Sequence, residues 1–241
     1  MLEPEISVVI PVCNEELNVE PLAREIEAAL GAHRHEVLFI DDGSSDGTSA
    51  AVLRARAAGA PLRLIHHARR SGQSAGLCTG MRHARAAWVA TLDGDGQNDP
   101  ADIPRLLAAR DAPENRDVRL FMGNRVTRRD TWLRRLSSRI ANGVRSRLLR
   151  DATPDTGCGI KLIHRATFAE LPRFDHMHRF LPALMQRAGA RVVSVPVNHR
   201  PRERGTSKYG LFDRLWVGIV DLFGVAWLQR RAGGPLEISE E

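Results

Sequence analysis

The sequence predicts a single α/β domain: a mostly parallel central sheet with helices on both faces. Three observations carry this expectation. β-Branched runs alternate with helical periodicity through the first hundred residues. Polar clusters rich in Asp, Asn and Gly stand directly after three of the strands. No linker rich in Pro, Gly or Ser divides the 241 residues. Strand–helix alternation implies right-handed crossovers and parallel pairing. In such sheets ligands lie outside the carboxyl ends of the strands.

The elements follow in order. Ile6–Val12 is a β-branched strand, and Asn14 opens a helix with apolar residues at Leu17, Leu22, Ile26 and Leu30. A buried strand over Glu36–Asp42, a helix near Thr48–Ala58 and a strand over Leu62–His67 come next. A helix from about Ser71 to Ala86 precedes the strand Trp88–Leu92, which delivers Asp93. The second half is less regular: a strand over Arg119–Arg125, an arginine-studded helix over Leu133–Leu149, and a strand over Gly157–His164. A helix over His178–Ala188, a strand over Arg191–Val197 and a basic loop over His199–Gly210 complete the domain, residues 1–210. Residues 211–241 form an apolar helix and a tail. Leu215–Val220 and Leu222–Leu228 flank Asp221, a stretch below the roughly 20 residues that a membrane span needs. Arg214 before it, Arg230 and Arg231 after it, and Trp216 and Trp227 near its ends suit a helix lying on a membrane surface. The same stretch also suits a core or dimer helix.

Bulk properties narrow the function classes. With 43% hydrophobic and 27% charged residues the chain is an ordinary globular protein. Cys13, Cys78 and Cys158 are odd in number and scattered, which favours reduced thiols over a disulfide frame or zinc site. The acidic Met-Leu-Glu-Pro-Glu start lacks the basic flank of a signal peptide, so the expected location is cytoplasmic. Charge is uneven. Between Arg125 and Arg150 nine arginines face one acid, Asp130, a net +8 in a chain of +6. Such a run is either a solvated helix face or a site for phosphate, nucleic acid or an anionic membrane. Its near-exclusive use of arginine suits bidentate phosphate binding. With only 5% aromatic residues, the chain lacks the stacking surfaces that nucleic-acid readers use.

Two carboxylate clusters carry the chemistry. In Asp93-Gly94-Asp95-Gly96-Gln97 the two acids share a face if strand geometry persists. A hard divalent cation would relieve their repulsion and could hold a diphosphate; an acidic Asp-Gly turn explains the same residues. In Asp41-Asp42-Gly43-Ser44-Ser45-Asp46-Gly47-Thr48, capping accounts for Ser45 and Asp46, while Asp41 and Asp42 can accept from a base N–H or ribose hydroxyls.

Together with Ile6–Glu15, these clusters resemble family 2 glycosyltransferases, and more narrowly the dolichyl- and polyprenyl-phosphate sugar synthases. Gly123-Asn124-Arg125, Asp155–Lys161 and Arg202–Lys208 extend the likeness to about residue 210. Two positions depart: Cys13 stands where the family has an aromatic, and Gly94 where Ala or Asp is usual. The resemblance implies a GT-A fold and an inverting, metal-dependent transfer of a hexose from a GDP- or UDP-sugar to a polyprenyl phosphate. The enzyme would be peripherally bound at the cytoplasmic face of a membrane. Pro11, Glu15, Asp41 and Asp42 would hold base and ribose. Asp93, Asp95 and Gln97 would hold Mg²⁺ or Mn²⁺ and the diphosphate, and Arg125, Arg134, Ser138, Arg202 and Arg204 would face the acceptor phosphate. A prenyl phosphate is already ionised, so it needs placement more than a general base. A sugar or lipopolysaccharide hydroxyl, the alternative acceptor, would need a catalytic Asp or Glu to take its proton. His176 and His178 are either a base, a sugar contact or hydrogen-bonded structural groups.

Overall fold

The computed structural model describes residues 3–125, 143, 145–151, 153–198, 200–201 and 211–231; for 211–217 it defines the helix but not the side chains. The first half runs β1 (Ile6–Val12), α1 (Glu16–Leu30), β2 (His35–Asp41), α2 (Thr48–Ala57), β3 (Leu62–His66), α3 (Gln73–His83) and β4 (Trp88–Thr91). It continues through α4 (Ile103–Asp111), β5 (Val118–Arg125), β6 (Lys161–His164), α5 (Arg165–Ala169), α6 (Leu181–Arg187), β7 (Arg191–Val197) and α7 (Leu211–Arg230).

Among the described residues seven strands form one sheet in the order β3-β2-β1-β4-β6-β5-β7. β1 runs parallel to β2 and β4, β2 to β3, and β5 to β7. Only β6 is antiparallel to its neighbours, β4 and β5. Helices cover both faces, which is why the central strands are continuously apolar. Alternate residues serve opposite layers. Val8, Ile10, Val37 and Phe39 join Ile26, Val52 and Leu106 on one side. Val9, Leu38 and Ile40 join Leu77, Leu184 and Val225 on the other. α3 lies unusually close to β1: a Cβ at Gly80 would overlap the Val9 side chain. That approach brings the first turn of α3 beside the carboxyl end of β1.

Several boundaries differ from expectation. Leu17 is 68% exposed, because a helix starting at Glu16 turns Val19, Leu22, Ile26 and Leu30 inward and Leu17 away. The strand expected over Gly157–His164 begins only at Lys161, since the preceding residues bend around Asp93. The helix expected over His178–Ala188 divides into a 3₁₀ turn, Met177–Arg179, and α6. Pro182 explains the break: it lacks an N–H and is accommodated in the first helical turn rather than in an interior. Of the helix expected over Leu133–Leu149, residues 145–149 are helical and 133–142 lie outside the described residues. Within the basic loop expected over His199–Gly210, residue 199 and residues 202–210 also lie outside them. The C-terminal helix is longer than its apolar stretch, 20 residues, yet no described helix is long and apolar enough to cross a membrane.

Candidate active site

The polar clusters converge at the carboxyl ends of β1, β2 and β4. After β1 the chain turns through Asn14, at φ 54°. Asn14 N–H donates to Ser44 Oγ (2.9 Å), and its Oδ1 accepts from Ser45 N–H (2.7 Å). Glu15 N–H donates to Thr48 Oγ1 (2.9 Å), and Glu15 Oε2 accepts from Asn18 Nδ2 (2.7 Å). The loops after β1 and β2 are thus laced into one wall beside the half-buried Pro11.

Asp41 and Asp42 are both buried and turned into that wall. Asp41 accepts from Ser44 N–H (2.9 Å) and from the Ser49 hydroxyl. Burial alone would raise its pKa, but the hydrogen bonds from Ser44 and Ser49 outweigh burial and lower it. Asp42 accepts from the N–H groups of Ser71 and Gly72 (both 2.8 Å), with His67 Nδ1 at 2.7 Å. Asp42 therefore ties the loop before α3 to the end of β2.

Asp93 follows β4. Its N–H donates to Asn98 Oδ1 (2.8 Å), and its Oδ1 accepts from Gln73 Nε2 (2.7 Å). Asp95 Oδ1 accepts from Gln97 N–H (3.1 Å). Burial raises the Asp93 pKa, the Asp95 charge adds to that effect, and the Lys161 and Arg125 cations oppose it. Buried Lys161, whose Nζ donates to the Cys158 carbonyl, has its pKa lowered by burial. Gly159 makes room: a Cβ there would fall on Asp93 Oδ2 and Asn98 Oδ1. Among the described residues no three His, Cys, Asp or Glu side chains form a ready-made ion cage. Asp93 and Asp95 are half-buried, and two such carboxylates are the donor set that Mg²⁺ or Mn²⁺ uses when substrate phosphates and water complete its shell.

Arg125, at the end of β5, is gripped in a fork by Asp155, with Nε–Oδ2 at 2.6 Å and Nη2–Oδ1 at 2.8 Å. The other arginines expected at the acceptor, Arg134, Arg202 and Arg204, lie with Ser138 outside the described residues. The basic run is not one uniform face. Arg145 is buried and holds Asp151 (3.1 Å), the Thr153 carbonyl (2.7 Å) and Thr156 Oγ1.

The histidines split. His178 is bound to Ser74 Oγ through Nδ1 (2.8 Å), and burial, with the Lys161 cation second, pushes its pKa down to about 3. His176 pairs instead with Asp221 of α7 (3.4 Å). Because folded His178 refuses a proton that the unfolded chain takes up below about 6.5, stability is full above that pH and declines as pH falls toward 3. Urea unfolding of wild type and His178→Gln from pH 7.5 to 4.5 should show a stability difference that shrinks on acidification. A constant difference would mean that His178 is not buried neutral.

Gln73 and Asn98 were not singled out by their sequence context, and Lys161 entered only as the last residue of the Asp155–Lys161 likeness, with no role assigned. The one available signal was Gly72-Gln73 opening the helix that follows the third strand, where side chains meet the carboxyl end of a sheet.

A mostly parallel sheet thus carries paired carboxylates after its fourth strand, beside the wall laced from the loops after β1 and β2. The model of glycosyl transferase family 2 matches residues 7–171, more than half of the chain, and the chain belongs to that family. It is 35% identical over 240 residues to a dodecaprenyl-phosphate galacturonate synthase of Rhizobium johnstonii, covering 96% of this chain and 69% of that one. It is 36% identical over 211 residues to an undecaprenyl-phosphate 4-deoxy-4-formamido-L-arabinose transferase of Edwardsiella ictaluri, covering 86% and 63%. The chain thus spans about two thirds of the length of these relatives. Among solved structures, the fold matches glucosyl-3-phosphoglycerate synthase of Mycobacterium tuberculosis with Mn²⁺, UDP and product (TM-score 0.69, 18% identity, 96% of this chain and 81% of that). It also matches a mannosyltransferase of Pyrobaculum calidifontis with GDP-mannose and Mn²⁺ (TM-score 0.60, 19% identity, 98% and 67%).

Proposed function

We propose that the protein transfers a hexose, with inversion, from a nucleotide-diphosphate sugar to a polyprenyl phosphate at a membrane surface. The observation that carries the reading is the Asp93–Asp95 pair, both half-buried, with the Lys161 cation acting on Asp93, at the carboxyl end of β4 in a family 2 fold. The relatives' named reactions, sugar transfer to dodecaprenyl and undecaprenyl phosphate, support the acceptor class. The metal-bound UDP and GDP-mannose structures of the fold neighbours support a nucleotide donor with Mn²⁺ or Mg²⁺.

In this reading Asp93, Asp95 and Gln97 hold the cation, which would neutralise the diphosphate and stabilise it as leaving group. Pro11 and Glu15 contact the nucleoside, while Asp41 and Asp42 act chiefly by fixing the loops that enclose it. Arg125, held rigid by Asp155, faces the acceptor phosphate together with Arg134, Ser138, Arg202 and Arg204. The phosphate oxygen attacks the anomeric carbon as the bond to the diphosphate breaks. No proton must be removed, which accords with a buried, neutral His178 and makes a general base unnecessary.

α7 supplies a membrane-facing surface. Val225 and Ala226 are buried against the domain, and the Arg187 guanidinium and Gln229 amide clamp the helix through the Leu228 and Leu149 carbonyls (both 2.9 Å). Ile219, Val220, Phe223 and Trp227 are exposed along the opposite side, with Arg230 and Arg231 at the end. Apolar side chains flanked by arginines suit an anionic bilayer surface. Because Phe223 and Trp227 are exposed, Phe223→Glu/Trp227→Glu should leave Tm unchanged and cut co-sedimentation with anionic vesicles at least about tenfold. Undiminished binding would remove α7 from the interface. The deciding assay offers undecaprenyl or dolichyl phosphate with a panel of labelled UDP- and GDP-sugars. If neither lipid is labelled while a soluble sugar acceptor is, the acceptor is a hydroxyl and the lipid-phosphate reading fails.

A further inference from the structure

Asp93 is restrained from three directions. Asn98 accepts its backbone N–H, the gap above Gly159 receives its Oδ2, and Gln73 donates to its Oδ1 at 2.7 Å. Asn98 and Gly159 belong to the buried floor of the site, whereas Gln73 is an exposed side chain from a different element, the first residue of α3. Its neighbours in the chain have equally specific partners. Ser71 and Gly72 donate their N–H groups to Asp42, and Ser74 Oγ is bound to His178 Nδ1. Four consecutive residues thus touch the nucleotide-side carboxylate, the metal-side carboxylate and the buried histidine. The close approach of Gly80 to Val9 fixes the helix that carries them.

An exposed glutamine held in one rotamer gives up side-chain freedom. A hydrogen bond to an ionised carboxylate is strong enough to offset that loss. The result is a carboxylate whose orientation is set before the cation and diphosphate arrive. We propose that Gln73 is a positioning residue for the metal site: it fixes the Asp93 carboxylate and ties that orientation to the turn that holds Asp42. The proposal rests on the reading of Asp93 as a metal ligand.

The test measures Mn²⁺ binding to the full chain with saturating UDP, and separately with saturating GDP, by titration of the free-Mn²⁺ electron paramagnetic resonance signal. Gln73→Met keeps the length of the side chain and removes the donor; Gln73→Ala removes both. In each variant Mn²⁺ should bind about tenfold more weakly, the typical effect of losing a partner to a metal ligand. Tm and metal-free nucleotide affinity should match wild type. In turnover, the Mn²⁺ concentration for half-maximal rate should rise by the same factor, with kcat recovered at saturating Mn²⁺. That split separates positioning from a general structural role. Unchanged Mn²⁺ affinity in folded Gln73→Met overturns the proposal, and so does a loss of metal-free nucleotide affinity, which would make Gln73 a nucleotide contact. A wild-type chain that binds nucleotide but no Mn²⁺ defeats the metal assignment itself, and the proposal with it.

Discussion

Asp95→Asn should lower sugar transfer by at least about a hundredfold at fixed Mn²⁺ and leave the fold intact. The side chain accepts from the Gln97 N–H, a bond that an Asn Oδ1 can keep, so the loop retains its shape. What disappears is one of two negative charges at the point where the proposed reaction brings a diphosphate and a lipid phosphate together. Removing a single preorganised charge-stabilising group from an active site typically costs about 10²–10³ in rate. Excess EDTA on wild type should produce the same loss, reversed by Mn²⁺. Near-normal turnover in the folded variant, or in wild type with EDTA, would refute the metal assignment. Circular dichroism and Tm of the variant separate this outcome from misfolding.

Much of the site's framework was legible because its signals are local. β1, β2 and β4 are continuous apolar runs, each ending in polar residues, and a parallel sheet gathers those ends at one edge. Asp41, Asp42, Asp93 and Asp95 could therefore be placed on that edge from the sequence. Their partners could not. Gln73 meets Asp93 from 20 residues upstream, and Asp155 meets Arg125 from 30 residues downstream. Such pairings are fixed by how α3 and the segment before β6 pack, not by any period in the chain. The arginine run carries the same lesson. Arg145 reads as one more surface cation, yet it is buried against Asp151, Thr153 and Thr156, because a segment that folds back brings its own acceptors with it. The strand that became β6 was read from the sequence, but its antiparallel direction was not, for a related reason. Strand direction is decided by where the chain re-enters the sheet, and alternation rules speak only for βαβ units.

Gly159→Ala tests whether the floor of the site, rather than its visible carboxylates alone, sets the chemistry. A Cβ at 159 would collide with Asp93 Oδ2 and Asn98 Oδ1, and none of the three groups is free to retreat. The Gly159 carbonyl is fixed by the Thr91 hydroxyl (2.7 Å), Asn98 holds the Asp93 N–H, and Gln73 holds Oδ1. The added methyl must therefore displace the Asp93 carboxylate. Transfer should fall about as far as in Asp95→Asn, with weaker Mn²⁺ binding. Overpacking of this kind costs about 1–3 kcal/mol, which lowers Tm by roughly 2–4 °C per kcal/mol in a domain of this size. Gly157→Ala is the matched control two residues away. There the nearest atom is Arg125 Nη2 at 3.4 Å, an ordinary contact with the end of a side chain. That variant should keep most of its activity and its Mn²⁺ affinity. If Gly159→Ala also keeps both, the carboxylate has room to move, and a metal site that depends on a fixed Asp93 is the wrong description. If Gly159 alone fails, the second half of the chain contributes to donor binding through a missing side chain, the one contribution that a search for chemically active residues cannot find.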